Sequence, residues 1–190
     1  MPKLIGIAGK AGSGKDAIAD HLWEHHSFLK MAFADALKLS ASSMFGIDLN
    51  YFYDRDKKEE RIEYWGLSPR QIAQLLGTEA VRGVFGDDFW VRRWYLSFLL
   101  MKDTDHVVVP DVRFELEAEF IRRLGGTILH VRRPSAGLQG STGLHSSERG
   151  IRHDSNDLVI DNDGTLDDLY SKADQLPLLV KDCDWDGDYV

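Results

Sequence analysis

The octapeptide Gly9-Lys10-Ala11-Gly12-Ser13-Gly14-Lys15-Asp16 holds three glycines and two lysines, with Gly9, Gly14 and Lys15 at GxxxxGK spacing and Asp16 where a serine or threonine usually stands. Glycines let successive backbone N–H groups curl around a polyphosphate. A helix opening at the lysine adds its positive end, and the ammonium reaches the outer phosphates. Gly9, Gly12, Ser13, Gly14, Lys15 and Asp16 are therefore expected to hold phosphate. A carboxylate beside phosphate is repulsive unless a cation intervenes, so Asp16 is expected to hold Mg2+, directly or through water; the other reading is that it only favours the helix N-terminus.

A second constellation is Val107-Val108-Val109-Pro110-Asp111-Val112-Arg113, an apolar strand ending in an acid with an arginine two residues on. Ligands of open α/β sheets gather at the carboxyl ends of strands. Asp111 is thus expected to face the same crevice as Lys15, orienting an acceptor or holding metal through water, or else to cap a helix starting at Phe114. Arg113 is expected to grip a phosphate. Arg70, Arg82, Arg132, Arg133 and Arg149 also stand beside loops, and phosphoryl transfer needs such charge around its equatorial oxygens and around the acceptor phosphate. His21 and His25 are four apart and could share a metal, but no third ligand is evident, which favours a solvated helix face.

These groups need a scaffold. Five short apolar runs, at 3–8, 29–33, 106–110, 127–132 and 157–161, read as parallel strands covered on both faces, although the second runs into MAFADALK, which could equally begin a helix. Between them lie helical patterns: an Ile18/Leu22 stripe, the start signature Ser68-Pro69-Arg70-Gln71, a segment from about 88 to 101, another from 114 to 124 stopped by Gly125-Gly126, and a last one from Thr165 and Asp168 to about 176. Alternation of strand and helix makes an α/β fold with right-handed crossovers. Phe89, Trp90, Trp94 and Tyr95 read as core, with Trp90 also placed to stack on a base. The charge run 54–61 reads as a solvated face or loop, and the polar stretch 134–147 as a functional lid or a disordered excursion.

The composition narrows the partners. The chain has 190 residues, 43% of them hydrophobic, and its 23 Lys+Arg against 31 Asp+Glu give a net charge of −8. That describes an ordinary globular protein long enough for one domain, and a poor binder of nucleic-acid polymers. A single cysteine forms no internal disulfide, and there is neither a signal-peptide pattern nor an 18-residue apolar run; the expectation is a cytoplasmic protein without membrane contact.

The chain resembles the deoxynucleoside monophosphate kinases encoded by tailed bacteriophages and their prophages. The residues that carry this are GIAGKAGSGKD at 6–16, FADALK at 33–38, SPRQIAQLLGTEAVR at 68–82, DFWVRRW at 88–94, PDVRFELEAEFIRRLGG at 110–126, VRRP at 131–134 and HSSE at 145–148. The resemblance implies a P-loop NTPase fold with a five-stranded parallel sheet and helices on both faces. It also implies ATP- and Mg2+-dependent conversion of a deoxynucleoside monophosphate to its diphosphate, for nucleotide supply in phage DNA synthesis. By the same carry-over, Phe33, Asp35, Lys38, Arg70, Thr78, Glu79, Arg82 and Trp90 line the acceptor pocket, Asp111 and Arg113 lie between the nucleotides, and Arg132 and Arg133 serve the lid. The turn 161–164 lies beside the donor adenine. The expected layout is one kinase domain over 1–180, with an acceptor-binding part at about 34–95 and a lid at about 132–150, followed by an acidic tail at 181–190. A homodimer is suggested by the family alone. The competing readings are a dephospho-coenzyme A kinase and an ATP-dependent binding or regulatory protein that is not a kinase.

Overall fold

The computed structural model describes residues 2–101, 105–134, 136 and 150–183. The chain divides into two compact units, one drawn from residues 1–32 and 98–190 and the other from 33–97.

The first unit is built on a five-stranded, wholly parallel sheet of β1 (Leu4–Ala8), β2 (Phe28–Lys30), β3 (His106–Val112), β4 (Thr127–Arg132) and β5 (Leu158–Asp161), in the order β2-β3-β1-β4-β5. β1 is fully buried, and its period-two alternation serves two cores at once. Ile5 and Ile7 join Ile18, Ala19 and Leu22 of α1 (Lys15–His26) and Leu169 and Ala173 of a C-terminal helix. Leu4 and Gly6 face the other way, toward Ile121, which sits on the helix Glu115–Arg123 between β3 and β4. Helices thus cover both faces, as the continuous apolar runs require.

Strand order reverses on either side of β1, so the crevice at the carboxyl ends of β1 and β3 is the switch point of the sheet. Here β3 departs from its expected end at residue 110 and continues to Val112. Its register against β1 slips between the pairs Gly6–Val109 and Ala8–Val112, which leaves one extra residue on β3. The bulge contains Pro110, which has no N–H to lose from the ladder, and Asp111. β2 is shorter than the expected 29–33 and starts one residue earlier.

The second unit is helical: α2 (Asp35–Phe45), α3 (Asn50–Tyr53), α4 (Pro69–Gln74), α5 (Gly83–Phe85) and most of α6 (Phe89–Phe98), around Ala41, Ile47, Phe52 and Ile72. The Ser68 capping box is present, with Ser68 Oγ accepting from the Gln71 N–H and the Gln71 side chain accepting from the Ser68 N–H. Beyond α4 the regular α-helix gives way, and residues 75–82 form a widened π-helical stretch. Gly77, in its middle, lies so close to Leu37 that an added Cβ would stand 2.5 Å from Leu37 Cδ2. Its carbonyl accepts a hydrogen bond from the Trp90 indole at 2.9 Å.

Back in the first unit, α7 (Glu115–Arg123) is followed, after β5, by α8 (Leu166–Ala173), which starts at Thr165 as expected, with a capping box between Thr165 and Asp168. α8 stops at Ala173, short of 176, and α9 (Leu176–Leu179) restarts around Pro177. A charged clasp joins α7 and β4 to the segment before β5. The Asp157 side chain, 2% exposed, takes Arg122 Nε at 3.1 Å and NH2 at 2.7 Å, His130 Nε2 at 2.9 Å and the Asp154 N–H at 2.8 Å. Burial pushes the Asp157 carboxyl up, but these hydrogen bonds outweigh it and hold the group below the usual carboxylate range. The same contact raises the Arg122 guanidinium.

Two stability predictions arise. In Gly126→Ala the new Cβ would meet Ile121 Cγ2 at 2.7 Å, Leu4 Cγ at 2.8 Å and the Ile121 carbonyl oxygen at 2.9 Å. Overpacking of this kind costs about 1–3 kcal/mol, seen as a lower urea midpoint; an unchanged midpoint would refute the packing assigned to Gly126. Asp157→Asn should cost about 1–3 kcal/mol at neutral pH. A carboxyl lowered by folding stabilises above its unfolded value, ~3.9, and that stability is lost as pH falls through the lower folded value. Urea midpoints of native and variant chains should therefore converge below about pH 4, and a constant gap down to acid would contradict the charge clasp.

Candidate active site

β1 delivers the chain into the glycine loop, and the loop geometry requires glycine where the sequence supplies it. Gly12 and Gly14 have φ of 76° and 105°, in the left-handed region. At Gly9 a Cβ would stand 2.5 Å from the Val131 carbonyl oxygen. α1 begins at Lys15, so the loop ends on the positive end of a helix. Lys15 is 8% exposed, and its ammonium donates to the carbonyls of Gly9 at 2.7 Å and Lys10 at 2.8 Å. Asp16 stands exposed in the first turn of α1, an oxygen donor of the hard type that Mg2+ takes. Ser13 Oγ is a buried hydroxyl with no hydrogen-bond partner among the described residues. An inward-turned loop with a buried ammonium and a spare hydroxyl fits a polyphosphate.

One contact around the loop has no local sequence signal. Asn162, just past β5 and 7% exposed, donates its side-chain amide to the Ser13 carbonyl at 2.8 Å, while its backbone N–H donates to the Arg132 carbonyl at 2.7 Å. It ties the phosphate loop to the ends of β4 and β5 across 149 residues of sequence.

The loop opens on a cavity of about 460 Å³ whose wall also carries Arg113, His130, Arg132 and Arg133. Lys10, Lys15, Arg113, Arg132 and Arg133 line it against two acids, Asp161 and Asp163. The local balance is therefore cationic in a chain of net charge −8, a site matched to an anion. Asp111 is half-buried in the bulge of β3 beside this wall. It does not cap α7. Glu117, 3% exposed, reaches back instead and accepts from the N–H groups of Arg113 at 2.8 Å and Phe114 at 3.1 Å. His130, a strand residue with no motif around it, lines the cavity with its ring held by the Asp157 clasp.

The remaining expected residues belong to the second unit. Arg70 Nε lies 2.5 Å from Glu59 Oε1, so the charge run 54–61 supplies a partner to a site candidate. Asp35 accepts from the Tyr53 hydroxyl at 2.8 Å, and Lys38 Nζ lies 4.0 Å from the centre of the Tyr53 ring, bringing three polar groups together. Phe33 is buried, with its ring 5.1 Å from that of Trp94. Trp90 is buried, its indole N–H held by Gly77. Thr78 and Arg82 are half-buried and Glu79 exposed, all on the π-helical stretch. Residues 137–149 of the expected lid, with His145, Glu148 and Arg149, lie outside the described residues, as does 184–190 of the tail.

Comparison with known proteins gives this geometry its context. A family profile for deoxynucleotide monophosphate kinase matches residues 52–173. A protein of Acanthamoeba polyphaga mimivirus, provisionally named a deoxynucleotide monophosphate kinase, is 33% identical over 184 residues, covering 89% of this chain and 93% of that one. The deoxynucleotide monophosphate kinase of Escherichia phage RB69 is 39% identical over 111 residues, which are 57% of this chain and 44% of the phage protein. Among solved structures, TT1252 from Thermus thermophilus shares the fold, with a TM-score of 0.54 at 23% identity over 93% of this chain and 96% of that one. On the profile match and the near full-length viral relative, the chain belongs to the deoxynucleotide monophosphate kinase family.

Proposed function

We propose that this chain transfers the γ-phosphoryl group of ATP to the 5′-phosphate of a deoxynucleoside monophosphate, giving ADP and the deoxynucleoside diphosphate, as the activity of its family in nucleotide supply for viral DNA synthesis. The observation that carries this reading is the glycine loop bearing a buried Lys15 in a cavity lined by five cations and two acids. An acceptor phosphate oxygen attacks the γ-phosphorus, the bond to the β–γ bridging oxygen breaks, and ADP leaves with that electron pair. Catalysis here is positioning and charge neutralisation.

The loop N–H groups and Lys15 would bind the β- and γ-phosphates. The Lys15 donors now held by the Gly9 and Lys10 carbonyls lie within the loop that would receive those phosphates. Arg113, Arg132 and Arg133 would balance charge on the transferred group, with the two arginines of the β4 end closing over it as part of a lid at about 132–150. Asp111, re-aimed by its bulge, would orient the acceptor. Asp16 would hold Mg2+ directly or through water, and the ion when bound offsets phosphate charge. In the second unit, Arg70 and Arg82 would bind the acceptor phosphate, and Phe33, Asp35, Lys38, Thr78 and Glu79 would shape the pocket for the nucleoside. Buried Trp90 would act by holding the π-helical stretch at Gly77.

Lys15→Ala should lower acceptor-stimulated ADP release by about 10²–10³-fold or more, measured with ATP, Mg2+ and a deoxynucleoside monophosphate; near-native turnover would rule out the assignment. Arg70→Ala should raise the KM for the acceptor by about tenfold or more, the scale of a lost charge-assisted hydrogen bond, with a smaller change in KM for ATP. An unchanged acceptor KM would take Arg70 out of the site.

A further inference from the structure

The end of α1 carries His21, His25 and His26, and sequence spacing pairs the first two. The fold pairs others. His21 Nε2 lies 2.6 Å, and His26 Nε2 2.8 Å, from the same atom, Oδ1 of Asp174, the residue that ends α8. All three atoms fall within 4.8 Å of one another, the one group of three such ligands among the described residues. His25 stays outside it, 60% exposed with Nε2 3.9 Å from Glu24.

We propose that His21, His26 and Asp174 form a site for a transition-metal cation of the Zn2+, Co2+ and Ni2+ class, separate from the Mg2+ of phosphoryl transfer. Two imidazole nitrogens and one carboxylate oxygen are the donor set such ions take, whereas Mg2+ and Ca2+ take oxygen. Ligands bound to Zn2+ at about 2.0–2.2 Å sit roughly 3.3 Å from one another, so a small opening of the observed cluster admits the ion. The cluster is also held in place. The His21 side chain is 12% exposed and stacks on Tyr170 of α8, with ring centres 4.5 Å apart and 10° between planes. Asp174 is 47% exposed, which leaves room for water as a further ligand.

None of the three lines the cavity, and His26 lies 11 residues, roughly 16 Å along the helix, from Lys15. A cation here acts on structure by fastening α1 to α8. Those helices begin at the phosphate loop and just past its Asn162 anchor.

The test uses chelator-treated, untagged full-length protein titrated with Co2+, reading its visible d–d absorption and the thermal midpoint. The native chain should bind one Co2+ with a rise in midpoint. Asp174→Asn and His26→Ala should weaken binding by about tenfold or more, while His25→Ala binds as the native chain does. The side-chain amide introduced by Asp174→Asn keeps an oxygen that accepts from either imidazole. The cluster keeps its hydrogen bonds in that variant, so Mg2+-supported kinase turnover should stay native, while the urea midpoint in chelator falls slightly with the loss of the carboxylate charge that His21 and His26 favour. Absence of a saturable Co2+ band in the native chain, or native-like affinity in both Asp174→Asn and His26→Ala, would overturn the site.

Discussion

An ammonium taken out of water is expensive unless its donors are met, and Lys15 is almost wholly buried. Its partners include two carbonyls of its own loop, Gly9 and Lys10, so the chain must turn back on itself within six residues. Much of the first unit depends on that turn. It needs positive φ at Gly12 and Gly14 and no side chain at Gly9 against the Val131 carbonyl. It needs a helix starting at Lys15, and a strand leading in whose two neighbours, β3 and β4, both end around the loop. Asn162 then fastens the loop from the far side. Phosphate oxygens and carbonyl oxygens ask the same thing of Lys15, which is why a loop that satisfies its lysine internally also fits a polyphosphate.

The charge pattern obeys the same logic. The chain is acidic overall, yet the wall of its cavity is cationic because Arg113, Arg132 and Arg133 sit where β3 and β4 end at the switch point. The bulge at Pro110 and Asp111 lets an acid stand beside those cations without interrupting the sheet further back. Net charge bears on solubility and on the repulsion of polymers, while the placement of a few cations selects a small anionic substrate.

Local patterns were legible in the sequence. The glycine loop, the Ser68 capping box, the helix start at Thr165, the stop at Gly125-Gly126 and the strand at 127–132 depend on residues within a few positions of one another, and they stand where expected. Features fixed by distant partners were not. The π-helical widening at 75–82 accompanies close packing of Gly77 on Leu37 and a hydrogen bond from Trp90. The anchoring of Ser13 by Asn162 and the pairing of His21 with His26 through Asp174 equally depend on residues that only the fold brings together. For the site, the phosphate-binding half could be read directly. The acceptor half came from a family resemblance, because scattered arginines carry no spacing signal of their own.

The central claim is the fate of one phosphoryl group, and phosphorus NMR of a reaction with ATP, Mg2+ and each common deoxynucleoside monophosphate tracks it directly. ADP and a deoxynucleoside diphosphate should appear in equal amounts with at least one of the deoxynucleotides, with little inorganic phosphate. Release of inorganic phosphate alone, or no deoxynucleoside diphosphate from any of them while a parallel sample with dephospho-coenzyme A is phosphorylated, would contradict it.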